Sequence, residues 1–199
     1  MRFPPSLPLR QRRIATPLGA VLLARTDAGL AGLWFDGQRH SPDSRCVQRW
    51  APDEGDALLR EAERQLLDYF AGRRPAFDLP LDLSHGTPFQ QAVWRALCAI
   101  PRGQTLRYGA LAAQIGQPAA ARAVGAAVGR NPLSVVVPCH RVIGADGSLT
   151  GYAGGLPRKV QLLTLEGIEG LAAPSAGASP PRAGAAPARP AATAAGARA

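Results

Sequence analysis

The chain has 199 residues, room for one domain or two small ones, and its 46% of hydrophobic residues is ample for a core. No apolar run approaches the ~20 residues of a membrane span, and residues 1–8 lack the apolar stretch of a secretory signal, so a cytoplasmic protein with no membrane partner is expected. The net charge of +9 sits unevenly: residues 1–84 carry 12 basic and 11 acidic side chains, residues 85–170 carry 8 and 3, and a basic half-chain of this kind favours a polyanionic partner.

Residues 1–14 are rich in proline and arginine and are expected to be loosely held. Residues 16–26 read as a strand, Asp27-Ala28-Gly29 as a turn and residues 30–35 as the returning strand of a hairpin. Residues 38–53, with Pro42 and Pro52, read as an irregular connection. His40 and Cys46 lie there, two conceivable metal ligands without a partner pair. From Asp53 the apolar period changes to three and four (Leu58, Leu59, Ala62, Leu66, Leu67, Phe70), which predicts a helix to about Ala71 that Gly72 ends. Its Arg60, Glu61, Glu63 and Arg64 form a solvated face. Residues 75–85 look like a short strand leading to a linker, and a domain boundary is placed near residue 84.

The second half reads as short helices. Thr87-Pro88 is an N-cap followed by a proline in the first turn, and Phe89, Val93, Trp94, Leu97 and Ile100 make an apolar stripe. Cys98 beside Leu97 is expected to be buried. Residues 105–115 predict a second helix, Gly116-Gln117-Pro118 a tight turn and residues 119–128 a third helix, which is the spacing of a helix-turn-helix. This third helix is nearly bare: Ala119, Ala120, Ala121, Ala123, Gly125, Ala126 and Ala127 leave Arg122 as its one long side chain. Such a surface suits close packing on another helix with Arg122 reaching water, and equally a helix laid in a DNA groove with Arg122 entering the base stack.

Residues 135–137, three valines, read as a buried strand that Pro138 stops. Cys139, His140 and Arg141 follow at once. A thiol reacts as thiolate and needs a base or a positive field beside it, although a lone cysteine serves as readily as a small buried hydrophobe. Three scattered cysteines, Cys46, Cys98 and Cys139, build no disulfide framework and no Cys-x-x-Cys metal knuckle, which leaves reduced thiols. Ala145-Asp146-Gly147-Ser148 is a turn signature, so residues 142–143 and 149–150 are expected to form a small hairpin or wing. Gly151-Tyr152-Ala153-Gly154-Gly155 is too glycine-rich for packed core and reads either as a loop whose backbone meets a ligand or as a plain surface loop. Residues 157–167 predict a last helix with Val160, Leu162, Leu163 and Leu165 apolar. Glu166 closes it, either as a solvated carboxylate at a helix end or as the third member of a nucleophile–base–acid relay that orients His140. Residues 171–199, with three arginines and no acid, are expected to be a disordered tail that adds at most weak attraction to DNA.

Laid out this way, residues 86–167 resemble the O6-alkylguanine-DNA alkyltransferases. The resemblance rests on Phe89-Gln90-x-x-Val93-Trp94, Tyr108, Ala121-Arg122-Ala123-Val124-Gly125, Asn131-Pro132, Val137-Pro138-Cys139-His140-Arg141-Val142, Gly151-Tyr152 and Leu162 through Glu166-Gly167, seven spaced elements in the family's order. It implies an α+β chain: a small N-terminal α/β, ribonuclease-H-like domain over residues 1–84, then a mostly helical winged-helix, helix-turn-helix domain over residues 85–170. It also implies single-turnover repair of duplex DNA containing O6-alkylguanine, and O4-alkylthymine, by a monomer without a cofactor. The base is flipped out through the minor groove.

The family's division of labour carries over residue by residue. Cys139 attacks the alkyl carbon, His140 takes its proton through a water, and Glu166 stands behind the imidazole. Asn131 ties the recognition helix to the active segment. Arg122 fills the gap left by the flipped base, with Ala120 and Ala121 against the DNA. Tyr108 presses the flanking phosphate and assists protonation of guanine N3. Tyr152 walls the base pocket, with Ala153 beside it, and the backbone of Cys139 and Val142 reads the exocyclic amine. Two departures stand out: Ala153 replaces a serine found in some relatives, and the zinc-binding residues of some relatives' first domain have no counterpart. A Cys–His hydrolase would not require the bare helix with one arginine, and a plain helix-turn-helix module would leave Cys139, His140 and Glu166 without work.

Overall fold

A computed structural model of the chain describes residue 3 and residues 7–170; the expected disordered tail lies outside the described residues. The first half is built on a four-stranded sheet. Strands β1 (Arg10–Ile14), β2 (Val21–Thr26), β3 (Gly29–Phe35) and β4 (Ala51–Pro52) lie in the order β3-β2-β1-β4, with β1 antiparallel to β2 and parallel to β4. The hairpin of β2 and β3 follows the expectation, but its first strand is shorter: residues 16–19 form a tight turn closed by mutual Thr16–Gly19 backbone hydrogen bonds. Residues 10–14 overturn the loosely held N-terminus. Their charges hid the strand, because the polar side chains are matched rather than solvated: Arg12 pairs with Glu54 and Glu63, Arg10 with Asp56, and the Gln11 amide donates to the carbonyls of Val47 and Trp50.

Both faces of the sheet are covered, which is why β2 and β3 run apolar without alternation. Helix α2 (Ala57–Phe70) packs Leu59, Ala62, Leu66 and Tyr69 on one face, against Val21, Leu23, Leu33 and Phe35. On the other lie Phe3, Leu9, Trp34 and Trp50. Helix α2 begins at Asp56, whose carboxylate accepts from Leu59 N at 3.0 Å and from Arg25 at 2.8 Å. The expected irregular connection holds a one-turn helix α1 (Ser44–Val47) and β4. Residues 75–85 form neither a strand nor a free linker. They are strapped to the outer edge of β3, where Leu30 N donates to Pro80 O and Asp82 N to Leu30 O, each at 2.8 Å.

The second half starts with α3 (Pro88–Cys98), opened by a reciprocal capping box between Thr87 and Gln90. Val93, Trp94 and Leu97 are buried as expected, but Cys98 is exposed, turned about 100° round the helix from its neighbour Leu97. The second helix starts three residues late: Leu106–Arg107 is a strand, β5, and α4 covers Tyr108–Gln114. A 3-10 turn over Pro118–Ala120 leads to α5 (Ala121–Gly129), so the helix-turn-helix is present. The Trp94 indole N–H donates to Ala127 O at 2.9 Å and seats α5 on α3.

Three further expectations fail. Residues 135–137 are not a strand but a buried turn. The wing is not a hairpin: β6 (Val142–Ile143) pairs with β5 in parallel, while residues 149–150 stay irregular. The glycine-rich loop is packed, with Tyr152, Ala153 and Gly154 buried. The last helix, α6 (Leu156–Leu165), buries Leu162 and Leu163 but exposes Val160. Leu33, on the same edge of β3 that holds residues 80–82, also donates to Pro132 O and accepts from Ser134 N, so β3 anchors the segment that precedes the cysteine. Trp94→Phe should lower stability by about 1–3 kcal/mol, through the unpaired Ala127 carbonyl and the smaller ring; a urea midpoint that falls at unchanged slope is the expected result.

Candidate active site

The cysteine stands on a backbone folded back on itself twice. Val136 N donates to Ser134 O at 2.9 Å around Val135, whose φ is +72°, and Cys139 N donates to Val137 O at 2.8 Å around Pro138. Both are three-residue γ-turns, and the first uses a conformation that a β-branched residue adopts only under strain of about 1–3 kcal/mol. The strain is held in place by burial, by Val137 N donating to Leu133 O, and by Asn131. The Asn131 carboxamide accepts from Leu133 N at 3.0 Å and donates to Val137 O at 2.8 Å, Leu133 O at 3.3 Å and Cys139 Sγ at 3.1 Å. Three valines in a row signalled burial correctly and the strand wrongly, because the hydrogen bonds here run within the turn.

Cys139 opens a single 3-10 turn, Cys139–Arg141, and is buried. Burial pushes its thiol up to about 11, against the pull of the Asn131 amide and the Lys159 charge. Lys159 is fully buried. Its ammonium donates to Val142 O at 2.6 Å and Thr150 O at 3.0 Å, and burial brings it down to about 8. It is the chain's one lysine among 23 basic residues. The Val142 carbonyl named above thus already carries one donor.

His140, also fully buried, joins Glu166 at 3.0 Å through Nε2. Glu166 is the C-cap of α6 and is buried too. Its Oε1 further accepts from the Tyr69 hydroxyl at 2.6 Å and Arg141 Nη2 at 2.7 Å, and its Oε2 from Arg141 Nε at 2.9 Å. Burial alone would raise the Glu166 carboxyl, but the hydrogen bonds from His140, Arg141 and Tyr69 outweigh it and hold the group well below the carboxylate range. An ionised carboxylate only accepts, so the shared proton sits on Nε2 and the lone pair on Nδ1, which has no hydrogen-bond partner among the described residues. Burial moves the His140 imidazole below its ordinary value, against the pull of Glu166, so the neutral base is the resting form near pH 7. Arg141 is committed to Glu166 and to Ile100 O rather than to the thiol.

Around this centre Tyr108, half-buried, is the first residue of α4, its hydroxyl 3.2 Å from Thr150 Oγ1 and its ring against Gly125 of α5. Burial raises its phenol and that of Tyr152. Tyr152 and Ala153 line an open groove of about 750 Å3 with Arg39, Gly151 and Arg158. Arg122 stands exposed on α5, and Ala120 and Ala121 are half-buried at the helix start. The structure therefore gathers Cys139, His140, Glu166, Asn131 and Lys159 into one buried cluster, with Tyr152 and Val142 in the same core. Arg122 projects from the helix surface. Tyr69 is the contact that sequence reading missed: it sits on the apolar stripe of α2, where an aromatic reads as core. Among the described residues no group of three or more His, Cys, Asp or Glu side chains is placed to hold a metal ion.

Comparison with known proteins decides the family. Residues 9–83 match the ribonuclease-like domain of 6-O-methylguanine DNA methyltransferase, and residues 88–168 match its DNA binding domain. The chain belongs to the 6-O-methylguanine DNA methyltransferase family. Among its relatives, the methylated-DNA–protein-cysteine methyltransferase of Mycobacterium tuberculosis is 49% identical over 158 residues, 79% of this chain and 92% of that protein. The protein of that name from Methanosarcina acetivorans is 50% identical over 155 residues, 76% and 94% of the two chains. The crystal structure of the M. tuberculosis OGT in complex with DNA superposes with a TM-score of 0.74 at 49% identity, covering 79% of this chain and 93% of that one. The α+β architecture, a ribonuclease-like first domain followed by a DNA-binding domain, is that of this family.

The two buried groups His140 and Glu166 shift stability in the same direction. Glu166, held below its ordinary 4.5, contributes stability that is complete above that value and is lost as pH falls toward the folded value. His140, held below 6.5, is buried neutral, so acid below 6.5 favours the unfolded chain. Urea midpoints should therefore begin to fall near pH 6.5 on acidification, by at most ~1.4 kcal/mol per pH unit for each group. His140→Gln should flatten the first part of that decline.

Proposed function

We propose that this chain repairs duplex DNA by moving the alkyl group of O6-alkylguanine onto its own Cys139, once per molecule. The observation that carries the reading is the buried Cys139–His140–Glu166 cluster, standing where two family domains cover the chain. Residues 85–170 bind the DNA and accept the group; residues 1–84 support them. The exposed basic charge of the second half favours the phosphate backbone, and the small-residue face of α5 fits the minor groove closely, with Arg122 filling the stack when the damaged nucleotide leaves it.

A thiol whose ordinary state is protonated needs its base at the moment of attack. The Cys139 proton passes through a bridging water to His140 Nδ1, and Glu166 balances the imidazolium while Lys159 steadies the thiolate. Sulfur then bonds to the alkyl carbon as the carbon–O6 bond breaks and its electron pair returns to guanine. Protonation at N3, assisted by Tyr108, makes the base a better leaving group. Tyr152 walls the pocket, and with alanine at 153 the backbone there supplies the hydrogen bonding. The thioether has no low-barrier route back to the thiol, so the protein is spent, and a reduced cytoplasm suits its free thiol.

Intact mass after mixing with a duplex containing O6-methylguanine should rise by one methyl, on the Cys139 peptide, and stop at one equivalent. Cys139→Ser should abolish the gain while duplex binding persists; tight binding to the lesion with no gain in the native chain would replace repair by damage sensing. Arg122→Ala should slow transfer from duplex far more than from the free base, by roughly the cost of flipping, a few kcal/mol at most.

A further inference from the structure

Tyr69 comes from α2 in the first half of the chain, 97 residues from Glu166, yet its hydroxyl donates to Glu166 Oε1 at 2.6 Å. That is the same oxygen that accepts the His140 imidazole at 3.0 Å. The tyrosine is fully buried, and its place is enforced from several sides: Phe77 lies 5.2 Å away ring to ring, Phe70 5.7 Å, and the Arg102 guanidinium 5.7 Å over its ring. Arg102 in turn donates to Leu165 O at 2.7 Å, the carbonyl just before Glu166. The phenol and its partner are thus held from α2, from the 75–81 segment and from the turn after α3.

Three donors, Tyr69, His140 and Arg141, meet on one carboxylate oxygen and compete for its electron density. A strong bond from Tyr69 leaves less for the imidazole N–H, makes the carboxylate a weaker acceptor and His140 a weaker base, and also limits the rotation of the carboxylate. Resting on the relay proposed above, we propose that Tyr69 is a positioning residue through which the ribonuclease-like domain sets the orientation and basicity of His140. The titratable and charged groups facing the relay are Tyr69 from α2, Arg102 from the turn after α3, Cys139 and Arg141 from the active turn, and Lys159 and Glu166 from α6. Of these only Tyr69 and Arg141 share Glu166 Oε1 with His140.

The test follows the His140 ring by NMR across pH in the full chain, beside the pH profile of single-turnover transfer to an O6-methylguanine duplex. Tyr69→Phe keeps the ring packing and removes the donor. The His140 titration and the acid limb of the rate should both move to higher pH, by about half a unit, a roughly threefold change in neutral base at a given acidic pH. Placing 3-fluorotyrosine at position 69 alone strengthens the donor without enlarging the fold's burden much, and both curves should move to lower pH. A His140 titration unchanged in both variants, or displaced in the same direction by both, overturns the proposal. Because the ring titration needs no transfer, a native chain that transfers nothing would sink the repair reading and leave this assignment to be judged by NMR.

Discussion

One buried carboxylate holds this molecule's halves in register. Taking an anion out of water costs several kcal/mol unless donors replace its hydration. Glu166 recovers that cost from four hydrogen bonds, supplied by α2, by the turn that carries the cysteine, and by no other part of its own helix. The carboxylate ends α6, so the helix, the reactive turn and the first domain can be correct only together. The rest of the turn depends on that agreement: the strained φ of Val135 and the Asn131 grip on the sulfur are set on a backbone that Arg141 and His140 pin from one end and β3 from the other, and Lys159 of α6 bonds the Val142 carbonyl just beyond it.

This arrangement separates reactivity from exposure. Cys98 is exposed and Cys46 partly so, yet neither has a base or a fixed donor at its sulfur among the described residues. Cys139 is the buried thiol, protonated at rest because burial dominates its environment. A buried thiol is protected from casual oxidants and alkylators that would consume it outside its task. On the reading proposed above its reactivity is delivered locally, by an imidazole that burial keeps neutral and a carboxylate that its hydrogen bonds keep charged, both groups lying below their ordinary values.

Much of this was legible in the residues. Period and capping signals located the β2–β3 hairpin, α2, α3 and the two helices after it, and the Pro138-Cys139-His140 stop with Glu166 at a helix end pointed to residues that lie together in one buried cluster. What escaped has a common cause: polarity read as solvation. Arg10, Arg12 and Gln11 looked like a free terminus, yet each has a matched partner on α2 or its approach. Lys159 drew no reading from the sequence, yet among the described residues it is a fully buried charge. Tyr69 looked like core because its ring is core; only the hydroxyl, invisible to periodicity, belongs to the site. The converse error occurred at residues 135–137 and 151–155, where β-branching and glycine content report burial and flexibility, not which atoms bond.

The burial of Lys159 has a consequence for handling this protein. It is the sole lysine of the sequence, and its ammonium is enclosed by α6 and bonded to two carbonyls. Amine-directed dyes, cross-linkers and acylating agents therefore find no lysine side chain on the folded surface. A lysine-specific protease has one peptide bond to cut, and that bond lies within a helix whose lysine is inaccessible. Cleavage there would report the opening of α6 from the reactive turn, giving a single-site readout of local unfolding at the heart of the molecule.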